Sequence, residues 1–461
     1  MQNLNTIFMK NNLLLIISIV LLSSCANQTD ENIRWLKQGG GMHYDAGRQI
    51  ESDSENNVYV LGSTQGESTF NGIKLDGNDD QIVLLKYEDG GLINWAKSFG
   101  GMGDDIGYGM ALNKSNDVLI TGHFSDSASF DEIKVNGNGL EDAFVSKVNS
   151  DGKVLWAKNI GGMEKDFGRG IDVNSNNEIF VSGFCSGDIY CDKNKILATA
   201  GKDNLFIIKL DDNGNFIYGK SFASEKGNLR SHSLKAKSNG EVVIVGYLEG
   251  TLKINDSTEV RSIGKADAVI ISLSKEGEIS WVRNVGSKSW DEGYDISLDE
   301  QENIYVTGFT SGTSYFGSED LLIFEGKGQR DAFVIKLNTE GKFLWAGNYG
   351  GNGIDEARSI HYKNNALLIT GFVEKEGTFG KNKYVSSGLT DVFLLNLSSN
   401  NEVLKSFLFG GKEGDEGRAV SFDNEGYANL TGRIKNRANF GKIELREAKD
   451  GDVFITKVKL K

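Results

Sequence analysis

The chain has 461 residues, of which 58 are glycine and none is proline, and its formal net charge is -14. A charge of that sign disfavours nucleic acid and anionic lipid surfaces, which both require basic patches, and otherwise favours solubility. Without proline, the tight turns must be built from Gly, Asn and Asp.

The first 24 residues read as a targeting segment and not as part of a fold. Lys10, Asn11 and Asn12 precede an apolar run from Leu13 to Leu22, which is too short to span a bilayer as a stable helix. The run ends in Leu22-Ser23-Ser24-Cys25, which resembles the lipobox of bacterial lipoproteins. That resemblance implies cleavage before Cys25, lipidation of its thiol and a tether over residues 25–32. Lys10 is the only charge removed, so the mature chain would carry -14 - 1 = -15. Ala26 resembles the outer-membrane sorting pattern, which implies an exported protein anchored in the cell envelope; Asp30-Glu31 leaves the leaflet open.

From residue 33 onward one phrase repeats. Its anchoring positions are Trp35, Trp95, Trp156, Tyr218, Trp281, Trp345 and Lys405, separated by 60, 61, 62, 63, 64 and 60 residues. So regular a period marks units that bury their apolar faces only by stacking on neighbours. In the sixth unit the strand signals are Lys342 to Asn348, Arg358 to Tyr362, Ala366 to Gly371 and Asp391 to Leu397. Branched and aromatic residues fill these runs, and pairs such as Asn364-Asn365 and Glu340-Gly341 supply hairpin turns. Each unit is therefore a four-stranded antiparallel meander. The chain begins with an isolated fourth strand (Ile33 to Gln38) and ends after a third (Asp452 to Val458). Pairing the two predicts an all-β fold over residues 33–461, a seven-bladed β-propeller closed by its N-terminal strand, with no exposed edge.

The wording of the repeat is similar to a known family. Gly328-x-x-Asp331-Ala-Phe-Val-Ile-Lys-Leu, Gly350-Gly351-x-x-x-Asp355 and Asn303-Ile-Tyr-Val-Thr-Gly308 resemble the bacterial β-propeller repeat called SBBP, over all seven units. The resemblance implies an exported or surface-attached propeller and no particular activity. Leu337-Asn338-x-x-Gly341-x-x-x-Trp345 also resembles quinoprotein-like propellers, whose repeats are shorter.

Two aspartate series run through the repeat. One precedes each third strand: Asp80, Asp142, Asp203, Asp267, Asp331, Asp391 and Asp452. The other enters the innermost strands as Asp45, Asp105, Asp166, Asp291, Asp355 and Asp415, with Leu229 in the fourth unit. Three residues beyond come Arg48, Tyr108, Arg169, His232, Tyr294, Arg358 and Arg418. A catalytic site needs acid and base in different environments, whereas a turn that needs a capping carboxylate needs it in every copy. Both series are therefore expected to be structural. Asp211-x-Asn213-x-Asn215 lacks the glycine and distal glutamate of a calcium loop and reads as a hairpin turn. His43, His123, His232 and His361 occupy different phases, so no metal cluster is expected. The spacing of Cys185 and Cys191 allows a small disulfide in an exported protein, or two free thiols.

Deviations from the repeat point to a binding rim. The fourth-to-first and second-to-third connections share one rim, which carries Trp290, Tyr44, Arg330, Arg230 and the Cys185–Cys191 loop. Aromatics in polar loops suit recognition of protein or carbohydrate. The expected function is a non-enzymatic envelope lipoprotein, a monomer without cofactor, whose rim binds a protein partner or glycan. The competing readings are a polysaccharide lyase or glycosidase using rim carboxylates with Tyr108 or Tyr294, and an envelope-assembly scaffold.

Overall fold

The computed structural model describes residues 30–77, 79–198, 202–316 and 322–461. The targeting segment, Cys25 and all but the last residues of the tether lie outside the described residues. Every regular element among the described residues is a β-strand, and the pairing between successive strands is antiparallel. The sixth unit shows the observed form, with strands Phe343–Tyr349, Asp355–Lys363, Ala366–Phe379 and Asn382–Ser398. Middle strands such as Ile304–Thr310 and Val242–Leu248 are buried at every residue, because adjacent sheets pack on both of their faces. The apolar clusters accordingly span neighbouring units: Leu61 and Leu84 of the first pack with Ile120, Phe124 and Phe144 of the second.

The two ends of the repeat meet. Ile33–Gly40 pairs antiparallel with Ala448–Val458, placing Ile33 opposite Val458 and Gly39 opposite Val453. Val60 and Leu85 of the first unit share a cluster with Ala419, Val453 and Ile455 of the last. The N-terminal strand thus occupies the fourth position of a sheet whose first three strands come from the C-terminus.

All but one of the sheets among the described residues are larger than the four strands expected. In several units the connection after the second strand folds into a short hairpin that joins the outer strand of the preceding sheet. Ser68–Phe70 and Ile73–Leu75 extend the sheet of Ile33–Gly40, with Phe70 opposite Gly39. A Cβ at Gly39 would collide with the Phe70 ring, so the first outer strand carries glycine where other units have Phe99, Ile160, Tyr349 and Phe409. The hairpin covers part of an outer edge that would otherwise be open to pairing. Short strands of only two to five residues carry too little periodicity to be read from sequence.

The recurring tryptophans link neighbouring units. Trp35, Trp95, Trp156 and Trp345 donate their indole N–H to the carbonyls of Asp89, Ser150, Asp212 and Ser399, at 2.9, 3.1, 3.3 and 3.1 Å. Each acceptor lies in or beside the third-to-fourth turn of the following unit.

The disulfide allowed by the sequence does not form: Cys185 and Cys191 are free and buried. Cys185 ends a second strand paired with Asn204, whereas Cys191 sits in a clasping hairpin, opposite Ile160 of the preceding unit's outer strand. The two thiols belong to different sheets, and burial pushes both well above the ordinary thiol range.

Candidate functional site at the channel mouth

All seven innermost strands are broken in the same way. They are Ala46–Ser52, Ile106–Leu112, Asp166–Val173, Leu229–Ala236, Glu292–Leu298, Asp355–Lys363 and Glu416–Phe422. In each, the ladder to the second strand skips one residue: Arg48, Tyr108, Arg169, His232, Tyr294, Arg358 or Arg418. A bulge bends the strand and re-aims the extra side chain, a device common beside functional sites. In the second, fifth, sixth and seventh units the second strand supports it through a Thr-Gly pair. Thr370 donates its hydroxyl to the Phe393 carbonyl at 2.7 Å, and a Cβ on Gly371 would collide with the Glu356 carbonyl.

The six aspartates before these bulges are fully buried. Each accepts the backbone N–H of the residue four positions earlier, as Asp105 does from Gly101 (2.6 Å) and Asp415 from Gly411 (2.7 Å). Most also accept a second N–H from the following loop, as Asp355 does from Glu374 at 3.1 Å. Desolvation raises their carboxyls to about 7 in Asp45, Asp105, Asp355 and Asp415, about 8 in Asp166 and about 6 in Asp291. They hold turns and are shut away from the channel. Leu229, which replaces the aspartate in the fourth unit, is also fully buried, and Glu249 accepts the neighbouring Asn228 N–H at 3.1 Å.

The other series is also used locally. Asp142, Asp267, Asp331 and Asp391 accept the N–H four residues before them. Asp203 instead binds Arg230, whose Nε lies 2.7 Å away, and Asp452 accepts from Gln38 at 2.7 Å. Asp211 accepts the backbone N–H groups of Asn213 and Asn215 at 2.9 and 2.8 Å, as a hairpin turn requires.

Around the mouth the bulge residues join a polar network. Glu416 binds Arg418 (2.8 Å) and Arg433 (2.9 Å). Glu356 binds Arg358 (2.6 Å), Arg330 and the Tyr294 hydroxyl (3.3 Å). Glu292 takes His232 Nε2 at 3.0 Å and the Trp290 indole N–H. Burial opposes charge on Glu416, yet its two arginines outweigh it and hold the carboxyl below the usual range. Behind the bulge ring lie His123, Phe184, Tyr247, Phe309 and Phe372, with Tyr108 stacked on His123 at 5.6 Å and Tyr294 tilted against Phe309 at 5.7 Å. Burial, with Arg169 adding to it, depresses the His123 imidazole to about 3, so this ring stays neutral.

Below the mouth the channel narrows to a cavity of about 30 Å³, room for one water. All seven innermost strands line it, among them Glu51, Met110, Arg169, Lys235, Asp295, Ser359 and Val420. Asp295 accepts from the Ser233 and Ser359 hydroxyls at 2.8 and 2.9 Å, and burial raises its carboxyl. His361 Nδ1 accepts the Phe422 N–H at 3.1 Å, and burial lowers the ring to about 3.

The four rim residues expected from sequence border this network, but none is a free anchor. Trp290 is half-buried, 5.4 Å from the Tyr247 ring. Tyr44 accepts from Arg418 at 2.8 Å and lies under Arg433 at 4.9 Å. Arg330 binds Glu356, and Arg230 binds Asp203. Apart from Arg230, the sequence reading missed the residue that follows each loop aspartate: Ala46, Ile106, Phe167, Glu292, Glu356 and Glu416. Its change of character around the repeat is the available signal, since that position decides which arginines receive a carboxylate.

No family model matches the chain. It is 23% identical over 382 residues to the Regulatory protein FlaEY of Caulobacter vibrioides, covering 74% of this chain and 38% of that protein. It is 25% identical over 266 residues to the Uncharacterized WD repeat-containing protein L264 of Acanthamoeba polyphaga mimivirus, covering 49% of this chain and 19% of that one. The chain thus spans well under half the length of these curated relatives. Among solved structures, the β-propeller domain of the Trilobed protease from Pyrococcus furiosus matches with a TM-score of 0.40 at 7% identity, over 90% of this chain and 96% of that one. The Phage phi92 endosialidase matches at 0.42 and 10%, over 93% and 69%. Likeness at this level carries no argument about activity. The described residues form an all-β fold with β-propellers among its structural neighbours, and in sequence the chain is similar to a WD repeat-containing protein.

Proposed function

We propose that this protein is a non-enzymatic, lipid-anchored propeller of the cell envelope that holds a ligand, on a protein partner or glycan, at its channel mouth. The observation that carries this is the bulge repeated in every innermost strand, which gathers Arg, Tyr and His side chains on one opening above a small cavity lined by the same strands. The architecture is a seven-bladed ring closed by the N-terminal strand, supported by the Ile33–Gly40 pairing and the mixed first-and-last apolar cluster. The SBBP resemblance and the lipobox at Cys25 support export and anchoring. The loop aspartates are committed to backbone, which takes away the carboxylates that a glycosidase or lyase reading would use.

The test immobilises the full chain in detergent and challenges it with envelope extract and a glycan panel. Reproducible capture is expected, weakened at least tenfold by Tyr108→Ala with Tyr294→Ala. Capture of nothing, or release of shortened sugars, would overturn the reading. In a parallel labelling experiment, radiolabelled fatty acid is expected on the wild-type chain and not on Cys25→Ser.

A further inference from the structure

The seven arginines of the mouth are not equivalent. Five have carboxylate partners: Arg230 on Asp203, Arg330 and Arg358 on Glu356, and Arg418 and Arg433 on Glu416. Arg48 and Arg169 have none among the described residues. The residue after the loop aspartate is Ala46, Ile106 and Phe167 in their sector, where the opposite sector has Glu292, Glu356 and Glu416. Both guanidinium groups instead flank Tyr108, with their central carbons 4.9 and 3.8 Å from its ring centroid. Arg48 Nε donates to the Ser63 hydroxyl at 3.2 Å, and Arg169 has a side-chain hydrogen bond with Tyr108. Arg169 Nε is buried without a partner, as are those of Arg358, Arg418 and Arg433, but only Arg169 among these four also lacks a carboxylate on its other nitrogens. Burial, with Arg418 pushing in the same direction, lowers the Arg48 guanidinium to about 10.

Half-buried guanidinium groups facing a channel without a counter-ion are unfavourable unless something else supplies the charge. Two planar forks with a phenol between them match the geometry of an oxyanion, whether planar carboxylate or tetrahedral phosphate. The spot is electropositive in a chain of net charge -14, so it is not a by-product of composition. We propose that Arg48, Tyr108 and Arg169 form an anion-binding subsite, and that the ligand presents one oxyanion there. This rests on the reading of the mouth as the binding face, and it adds the chemical class of what binds.

The test is calorimetric titration of the full chain in detergent with inorganic phosphate, with glucuronate and with glucose. Saturable binding of at least one anion is expected, and no binding of glucose. Phosphate alone identifies a tetrahedral oxyanion, and glucuronate alone a carboxylate. Arg48→Gln with Arg169→Gln should weaken binding at least tenfold, whereas Lys275→Gln, in a turn on the opposite rim, should leave it unchanged. Arg169→Lys keeps the charge but loses the fork, so it should weaken binding several-fold; it also stands in if the double variant fails to fold. Silence with both anions, or wild-type binding by the arginine variants, would overturn the subsite. Envelope capture that survives the double variant would sink the subsite and spare the binding mouth. Anion binding without any envelope capture would do the reverse.

Discussion

Each of the six loop aspartates has its carboxylate buried against backbone N–H groups, and desolvation keeps its proton on to between about 6 and 8. The unfolded chain would lose that proton near 4. Folded protein therefore binds more protons than unfolded protein between these limits. The stability this contributes is complete below about 4 and is lost as pH rises through 6 to 8. His123 and His361 act in the opposite sense: held neutral to about 3, they lose stability as pH falls below about 6.5. His232 is also lowered by burial. Six groups outweigh three. The expected outcome is a higher thermal midpoint at pH 5.5 than at pH 8.5 at constant ionic strength; a lower midpoint at pH 5.5 would contradict it. The aspartates themselves were legible in the sequence, because a turn that needs a cap repeats it. The burial that moves their protons was not, since it depends on the neighbouring sheet.

Among elements, the fourth strand and the turn of the next unit form the recurring joint. Gly91 (φ +79°) sits in such a turn, where a Cβ would lie 2.7 Å from the Trp35 ring. Gly72 has a similar φ of +89° but nothing within 4 Å of the same position. Alanine at either site incurs the left-handed backbone cost of about 1–2 kcal/mol. Only Gly91→Ala also displaces the indole, adding about 1–3 kcal/mol of overpacking. Urea denaturation should therefore rank Gly91→Ala as clearly less stable than Gly72→Ala, and equal midpoints would argue that the joint is not strained. The Trp and Gly of this joint stand out in the sequence, yet only the structure pairs the Trp of one unit with the Gly of the next. The clasping hairpins escaped notice for a related reason: Ser68–Phe70 is three residues long, and its partner is the preceding unit's outer strand.

At the scale of the whole molecule, the first and last units depend on each other. Removing Ile33–Gly40 would bare the edge of Ala448–Val458 and open the cluster that holds Val60, Leu85, Val453 and Ile455. A chain lacking residues up to Gly40 should melt well below the chain that retains them and should aggregate, as measured by thermal scanning with light scattering. Equal melting and solubility would count against closure by this strand. The sequence by itself determined the all-β meander, the spacing of its units, the turn chemistry and the residues that line the innermost strands, because all of these repeat and follow local periodicity. It also listed the arginines, tyrosines and histidine of the mouth. Tertiary structure alone decided that Arg48, Tyr108, Arg169, His232, Tyr294, Arg358 and Arg418 are bulge residues, that Glu292, Glu356 and Glu416 neutralise one sector, and that Arg48 and Arg169 are left without a carboxylate partner among the described residues. The physical reason is that the arginine–carboxylate pairs of the mouth join loops and strands up to 27 residues apart, while Arg48 and Arg169 meet Tyr108 and His232 meets Glu292 across about 60 residues, contacts made only when the strands stand side by side.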